Sequence, residues 1–253
     1  VDLGCLQYDF GTDLGAALLS PPAISAPVSF EGGTTYRLRV EYEPQRQGGA
    51  LSHAMSITVG TEPADVDADL LIADAARAAS AADVAVVVVG TNSRVESEGH
   101  DRTSLALPGR QDDLVRAVVA ANPRTVVVVN AGSPVTMPWR DDAAAVLLTY
   151  FGGQEYGAAL GDVLSGVREP GGRLPTTWPA TQADVPVLDV TPVNGVMRYD
   201  EGIHIGYRAW LRAGTAPAYP FGFGLGYTTW RVEEATTAGF ADDVARIAVR
   251  VTN

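Results

Sequence analysis

Val84-Ala85-Val86-Val87-Val88-Val89-Gly90 is the stretch that decides the fold. A continuous apolar run, rich in β-branched residues and closed by glycine, reads as a strand buried on both faces. On this reading the strand covers Asp83 to Val89. Thr125 to Val129 repeats the pattern, and Ala144 to Tyr150 repeats it again. Between these runs the periodicity turns helical. Arg110 to Ala121 places Leu114, Val115, Val118 and Val119 on one face, and Gln154 to Leu164 is closed by Gly166 as a stop signal. Ahead of the first strand, the Ala-rich segment from Val66 to Ala76 puts Val66, Leu70 and Ala73 on one helical face. Buried strands that alternate with helices predict an α/β unit around a mostly parallel sheet.

The flanks read differently. In residues 1–62, Tyr36, Leu38, Val40 and Tyr42 alternate with Arg37, Arg39, Glu41 and Glu43. Met55, Ile57 and Val59 alternate in the same way, and Gly32-Gly33 and Gly48-Gly49 mark turns. This predicts the end of an antiparallel sandwich. From Arg168 to Tyr227 proline and glycine punctuate a long irregular segment whose aromatics favour tight packing. Arg246 to Thr252 alternates again and simply stops, so both ends read as cut from a longer protein.

Composition narrows the function classes. The chain has 253 residues, 46% of them hydrophobic, which suits a packed core. A net charge of −12 argues against nucleic acid or an anionic membrane as partner, and no run is long and apolar enough to span a bilayer. All 18 basic residues are arginine. Cys5 is the single cysteine, so no internal disulfide can form. His53, His100 and His204 are isolated in sequence, no metal-ligand spacing is present, and no cofactor is expected. Gly90-Thr91-Asn92-Ser93-Arg94 lacks the spaced glycines of a dinucleotide loop, and no serine sits in a Gly-x-Ser-x-Gly elbow.

The chemistry concentrates directly after the first strand, in Val95-Glu96-Ser97-Glu98-Gly99-His100-Asp101-Arg102. Open α/β sheets bind ligands at the C-terminal ends of their strands. A carboxyl there can be mobile enough to reach a leaving group and dry enough to keep its proton. Glu96 and Glu98 are the candidates; the ordinary alternative is a pair of solvated surface charges. Asp101 and Arg102 suit an internal ion pair that pins the loop. His100 is placed to orient a substrate or to stand by. Trp139, Trp178, Trp210 and Trp230 are possible sugar platforms, with packing the expected fate of at least three.

These motifs together resemble family 3 glycoside hydrolases, the β-glucosidase family. The resemblance rests on Glu98-Gly99-His100-Asp101-Arg102, Leu105-Ala106-Leu107-Pro108-Gly109-Arg110-Gln111 and Val127-Val128-Val129-Asn130-Ala131-Gly132-Ser133-Pro134. It continues through Phe151-Gly152-Gly153-Gln154-Glu155, Pro170-Gly171-Gly172-Arg173-Leu174-Pro175, Tyr199-Asp200-Glu201-Gly202 and Tyr219-Pro220-Phe221-Gly222-Phe223-Gly224. It implies a six-stranded, mostly parallel α/β sandwich over residues 63–230, the second catalytic domain. Residues 1–62 would be the C-terminal part of a protective-antigen-type β-sandwich insert, and residues 231–253 the start of a fibronectin-III-like domain. The implied reaction is retaining hydrolysis of a β-glucoside or oligosaccharide. The acid/base carboxyl would come from this chain and the nucleophile from a TIM-type barrel elsewhere in the protein.

The resemblance points to Glu98 as acid/base with Glu96 as competitor. It sets His100, Asp101 and Arg102 on the substrate side, with Asp101 and Arg102 holding the loop. Gln154 and Glu155 would line the barrel-facing edge or cap their helix. β-Xylosidase, arabinofuranosidase and N-acetyl-β-glucosaminidase activities, and a non-catalytic carbohydrate-binding module, are the alternatives. Homo-oligomerisation is left open.

Overall fold

The computed structural model describes residues 25–41, 59–60, 66–93, 95–97, 102–188 and 191–253. Its centre is a three-stranded parallel sheet of β1 (Ala85–Gly90), β2 (Thr125–Asn130) and β3 (Ala145–Leu148), in that order. The registers pair Val87 with Val127, Gly90 with Asn130, and Val128 with Leu147. Helices α1 (Ala68–Ser80) and α2 (Gln111–Ala121) flank β1 in sequence and pack on one face of the sheet. The α/β class expected from the valine runs is therefore the observed one. Of the six expected strands, three lie among the described residues of 63–230.

The core explains this arrangement. Val87, Val89, Val127 and Val129 point to the helix-covered face and meet Ala79 of α1 and Val115 and Val118 of α2. Leu107, Val135, Met137, Trp139, Leu174 and Trp178 close the same cluster from the loops. Fully burying side chains of this size is worth about 1.5–3 kcal/mol each. Helix α2 turns the face predicted for it: Val115 and Val118 are buried, with Leu114 and Val119 packed at the margin. Helix α1 does not. Val66 and Leu70 are exposed, and Ala75 and Ala79 make the contact instead. Alanine lets the helix lie close to its neighbour, and small side chains leave little hydrophobic signal from which to read the face.

Asn122 locks the corner where the helices meet the sheet. Its side-chain amide donates to the carbonyls of Ala79 (3.0 Å) and Ala82 (2.9 Å) at the end of α1. Its Oδ1 accepts from the Arg124 amide at 2.9 Å, and its own carbonyl accepts from the Thr125 hydroxyl. A 5% exposed amide with this set of partners meets the requirement that buried polar groups be paired.

On the opposite face the cover is uneven. Val128 is fully buried, whereas Val86 and Val88 of β1 are 47% and 56% exposed. Of the tryptophans, Trp139, Trp178 and Trp210 are buried and Trp230 is exposed, as packing predicts for three of them.

Helix α3 (Tyr156–Leu164) ends at Ser165, and Gly166 follows with φ +78°, the conformation its stop signal called for. The irregular segment that follows does pack. Trp178 and Tyr219 exchange backbone hydrogen bonds as an isolated antiparallel bridge, and Leu174 does the same with Phe223 and Gly222. Among its described residues, a 3-10 turn at Gln182–Asp184 and a short helix, α4 (Tyr207–Ala213), interrupt it.

Two flanking expectations meet different outcomes. Residues 36–41 belong to no strand and are exposed; the rest of that predicted strand, and the one through Met55 and Ile57, lie outside the described residues. Alternation alone forms no ladder without a partner edge. At the other end, β4 (Arg231–Ala241) and β5 (Val244–Thr252) form an antiparallel pair. Asp242 and Asp243 turn between them at positive φ.

Candidate acid/base loop

The C-terminal ends of β1 and β2 lie side by side because Gly90 pairs with Asn130. Only glycine fits at position 90, since a Cβ there would stand 1.9 Å from the Asn130 carbonyl oxygen. Gln111, at the start of α2, clamps the same point. The Gly90 amide donates to its Oε1 at 2.7 Å, and its Nε2 donates to the Gly90 and Pro108 carbonyls, each at 2.9 Å. The chain that leaves β1 is thus fixed before the acidic loop begins. Thr91 continues the alignment by donating its amide to Asn130 at 3.0 Å.

The backbone then turns. The amides of Val95 and Glu96 both donate to the Asn92 carbonyl at 2.9 Å, which folds Glu96 back over the strand ends. Its carboxylate is fully engaged. Thr91 Oγ1 donates to Oε2 at 2.6 Å, the Gly132 amide donates to Oε2 at 3.2 Å, and Ser133 Oγ donates to Oε1. Partial burial alone would raise the pKa of Glu96. The hydrogen bonds from Ser133, Thr91 and Gly132 and the charge of Arg102 outweigh it, and the net effect lowers the pKa below the ordinary carboxylate value. Glu96 is therefore held as an anion, the reverse of what a general acid needs.

Arg102 closes the loop at its other end. Its Nη1 donates to Ser133 Oγ at 2.8 Å and to the Pro134 carbonyl at 3.3 Å. Its Nε and Nη2 are buried with no hydrogen-bond partner among the described residues. Glu98, Gly99, His100 and Asp101 lie outside the described residues. Further on, Gln182 reaches back to pair with the backbone of Leu105 and Thr103, which extends the clamp to the next segment.

Of the remaining candidates, Gln154 and Glu155 are exposed, and Glu155, the residue before α3, makes no side-chain cap. Among the described residues no group of His, Cys, Asp or Glu is arranged to hold a metal. Sequence reading passed over Thr91 and Ser133. The available signal was their place directly after β1 and β2, on the edge where the strand ends gather.

A model described as the glycosyl hydrolase family 3 C-terminal domain matches residues 22–227. The chain belongs to glycosyl hydrolase family 3. That match begins well before residue 63, inside the stretch read from the sequence as an insert. Among family relatives, a β-glucosidase of Rhizobium radiobacter is 38% identical over 233 residues, covering 89% of this chain and 28% of its own length. One from Kluyveromyces marxianus is 38% identical over 229 residues, covering 89% of this chain and 27% of that protein. The crystal structure of the K. marxianus β-glucosidase in complex with glucose superposes with a TM-score of 0.69 at 40% identity, over 74% of this chain and 22% of the other. The family 3 chain described here thus spans little more than a quarter of the length of these curated relatives.

Proposed function

We propose that this family 3 chain is the part of a retaining β-glucosidase that supplies the acid/base carboxyl, and that Glu98 is that carboxyl. The observation that carries the assignment is the state of Glu96. Three donors occupy its carboxylate, and with the charge of nearby Arg102 they hold it charged. Of the two glutamates after β1, that leaves Glu98 for proton transfer. Retaining hydrolysis needs two carboxyls about 5–5.5 Å apart, one to attack the anomeric carbon and one to protonate the leaving oxygen and then deprotonate water. The nucleophile belongs to a TIM-type barrel in the rest of the protein. Relatives named as β-glucosidases support the glycoside class, and the glucose held by one of them supports the glucosyl unit. Arg102 and Asp101 hold the loop, and His100 faces the substrate side. In the same reading residues 1–62 end a β-sandwich insert, and the strand pair from Arg231 opens a fibronectin-III-like domain.

The test is Glu98→Ala in the full-length enzyme. Hydrolysis of glucosides with poor leaving groups should fall by roughly 10²–10⁴-fold, while a dinitrophenyl glucoside should react almost normally in the first step. Azide should rescue the second step and give a β-glucosyl azide. A wild-type profile for Glu98→Ala, with this pattern in Glu96→Ala, would exchange the two roles. Residues 1–253 alone should not turn over aryl glucosides.

A further inference from the structure

We infer that Ser133 is a positioning residue for the acid/base loop, a single hydroxyl that pins both ends of the segment carrying Glu98. The inference rests on the proposed role of Glu98. The segment Ser97 to Asp101 is bounded by Glu96 on one side and Arg102 on the other. Both boundary side chains meet at the same atom: Ser133 Oγ donates to Glu96 Oε1 and accepts from Arg102 Nη1 at 2.8 Å. A hydroxyl has one proton to give and lone pairs to receive, so it can join an anion to a cation through one oxygen. Alanine can do neither.

The pin is itself fixed. Ser133 follows β2 directly after Ala131 and Gly132, and its neighbour Pro134 gives Arg102 a second acceptor. The Gly132 amide donates to the same Glu96 carboxylate. A Cβ at 132 would come within 2.7 Å of the Phe151 ring and 3.0 Å of Glu96 Oε1, so a side chain there would have to push one of them aside. The loop that leaves β1 is thereby referenced to the end of β2, the most deeply buried strand of the sheet. In sequence Glu98 lies two residues from Glu96 and four from Arg102, so both anchors are close to it along the chain. A misplacement of about 1 Å at a reacting centre can cost on the order of 10²-fold in rate.

The experiment uses the full-length enzyme and aryl β-glucosides of graded leaving-group ability. Ser133→Ala should lower kcat/KM, which reports the first step, about 10- to 100-fold for poor leaving groups and little for dinitrophenyl glucoside. For the poor leaving groups, whose first step limits turnover, KM should barely move, and azide should not rescue, because Glu98 is still present. Ser133→Thr, which keeps the hydroxyl, should restore most of the rate. Thr91→Val removes one donor to Glu96 with almost no change of shape, and should show a weaker form of the same pattern; it serves if Ser133→Ala fails to fold. An equal loss of kcat/KM across all leaving groups, or wild-type rates in a folded Ser133→Ala, overturns the pin while Glu98→Ala still behaves as proposed. If Glu98→Ala itself shows no leaving-group dependence, the reading beneath falls and the pin falls with it.

Discussion

Replacing Gln111 by leucine tests how the acidic loop is launched from the sheet. Leucine is one atom shorter and has no polar atoms. The change removes three hydrogen bonds: the one from the Gly90 amide, and those to the Gly90 and Pro108 carbonyls. All three are partly buried, so water can reach some but not all of the groups left behind. The net worth of such a bond is about 0.5–1.5 kcal/mol, and an orphaned buried group costs about 1–3 kcal/mol. With the Gly90 amide orphaned and the two carbonyls partly hydrated, the loss of stability should be about 2–4 kcal/mol. Urea unfolding, followed by far-UV circular dichroism, should show a lower midpoint with an unchanged slope. Gln111→Glu is a sharper comparison. It retains an acceptor for Gly90 but turns carboxylate oxygen toward two carbonyls, and should be no better than leucine at neutral pH. A loss below about 0.5 kcal/mol for Gln111→Leu would mean the clamp is decorative.

Three further changes probe neighbouring features. Gly90→Ala should be among the most damaging single-methyl additions, because its Cβ would stand 1.9 Å from the Asn130 carbonyl oxygen; loss of soluble protein or a fall of several degrees in Tm is expected, and an unchanged Tm would show that the strands part freely. Asn122→Ala should cost about 2–4 kcal/mol in urea unfolding, since it frees two carbonyls at the end of α1 and the Arg124 amide. Glu96 has a folded-state pKa below its unfolded value near 4.5, so it contributes stability that is present above that value and lost as pH falls through the lower folded one. Glu96→Gln should flatten the acid side of the stability profile, and urea midpoints that fall with acid as steeply as in the parent would refute this.

Much of the fold was legible because valine runs have few options. β1 and β2 are runs of β-branched residues whose positions matched the expectation to within a residue or two, but only β2 is buried on both faces; the run in β1 has Val86 and Val88 exposed on its outer side. Helix α1 was found but its buried face was misread, since Ala75 and Ala79 carry too little hydrophobicity to declare themselves. The predicted strand through Tyr36 and Leu38 shows the opposite failure, a clear alternation with no ladder in its described part. At the loop, the motif exposed two carboxylates of similar standing. What separates them is the company of Glu96. Thr91 is five residues away, and Gly132 and Ser133 are 36 and 37 away, brought near only by the parallel register of β1 and β2. Chemistry local to the sequence cannot rank two glutamates when the ranking is made by a neighbouring strand.

The half-covered sheet has a consequence for handling the protein in solution. Val84, Val86 and Val88 present a row of methyl groups on the uncovered side of β1. At neutral pH a charge of −12 keeps neighbouring molecules apart. With a sequence pI of about 4.6, mild acidification removes that repulsion while the methyl row is unchanged. Colloidal behaviour should therefore be asymmetric in pH, with clear solutions on the alkaline side and turbidity that rises with concentration near the isoelectric point. All 18 cationic groups are arginines, which stay charged far into the alkaline range. Raising the pH consequently adds little charge of either sign until the tyrosines ionise, and salt is the more effective means of tuning attraction between molecules.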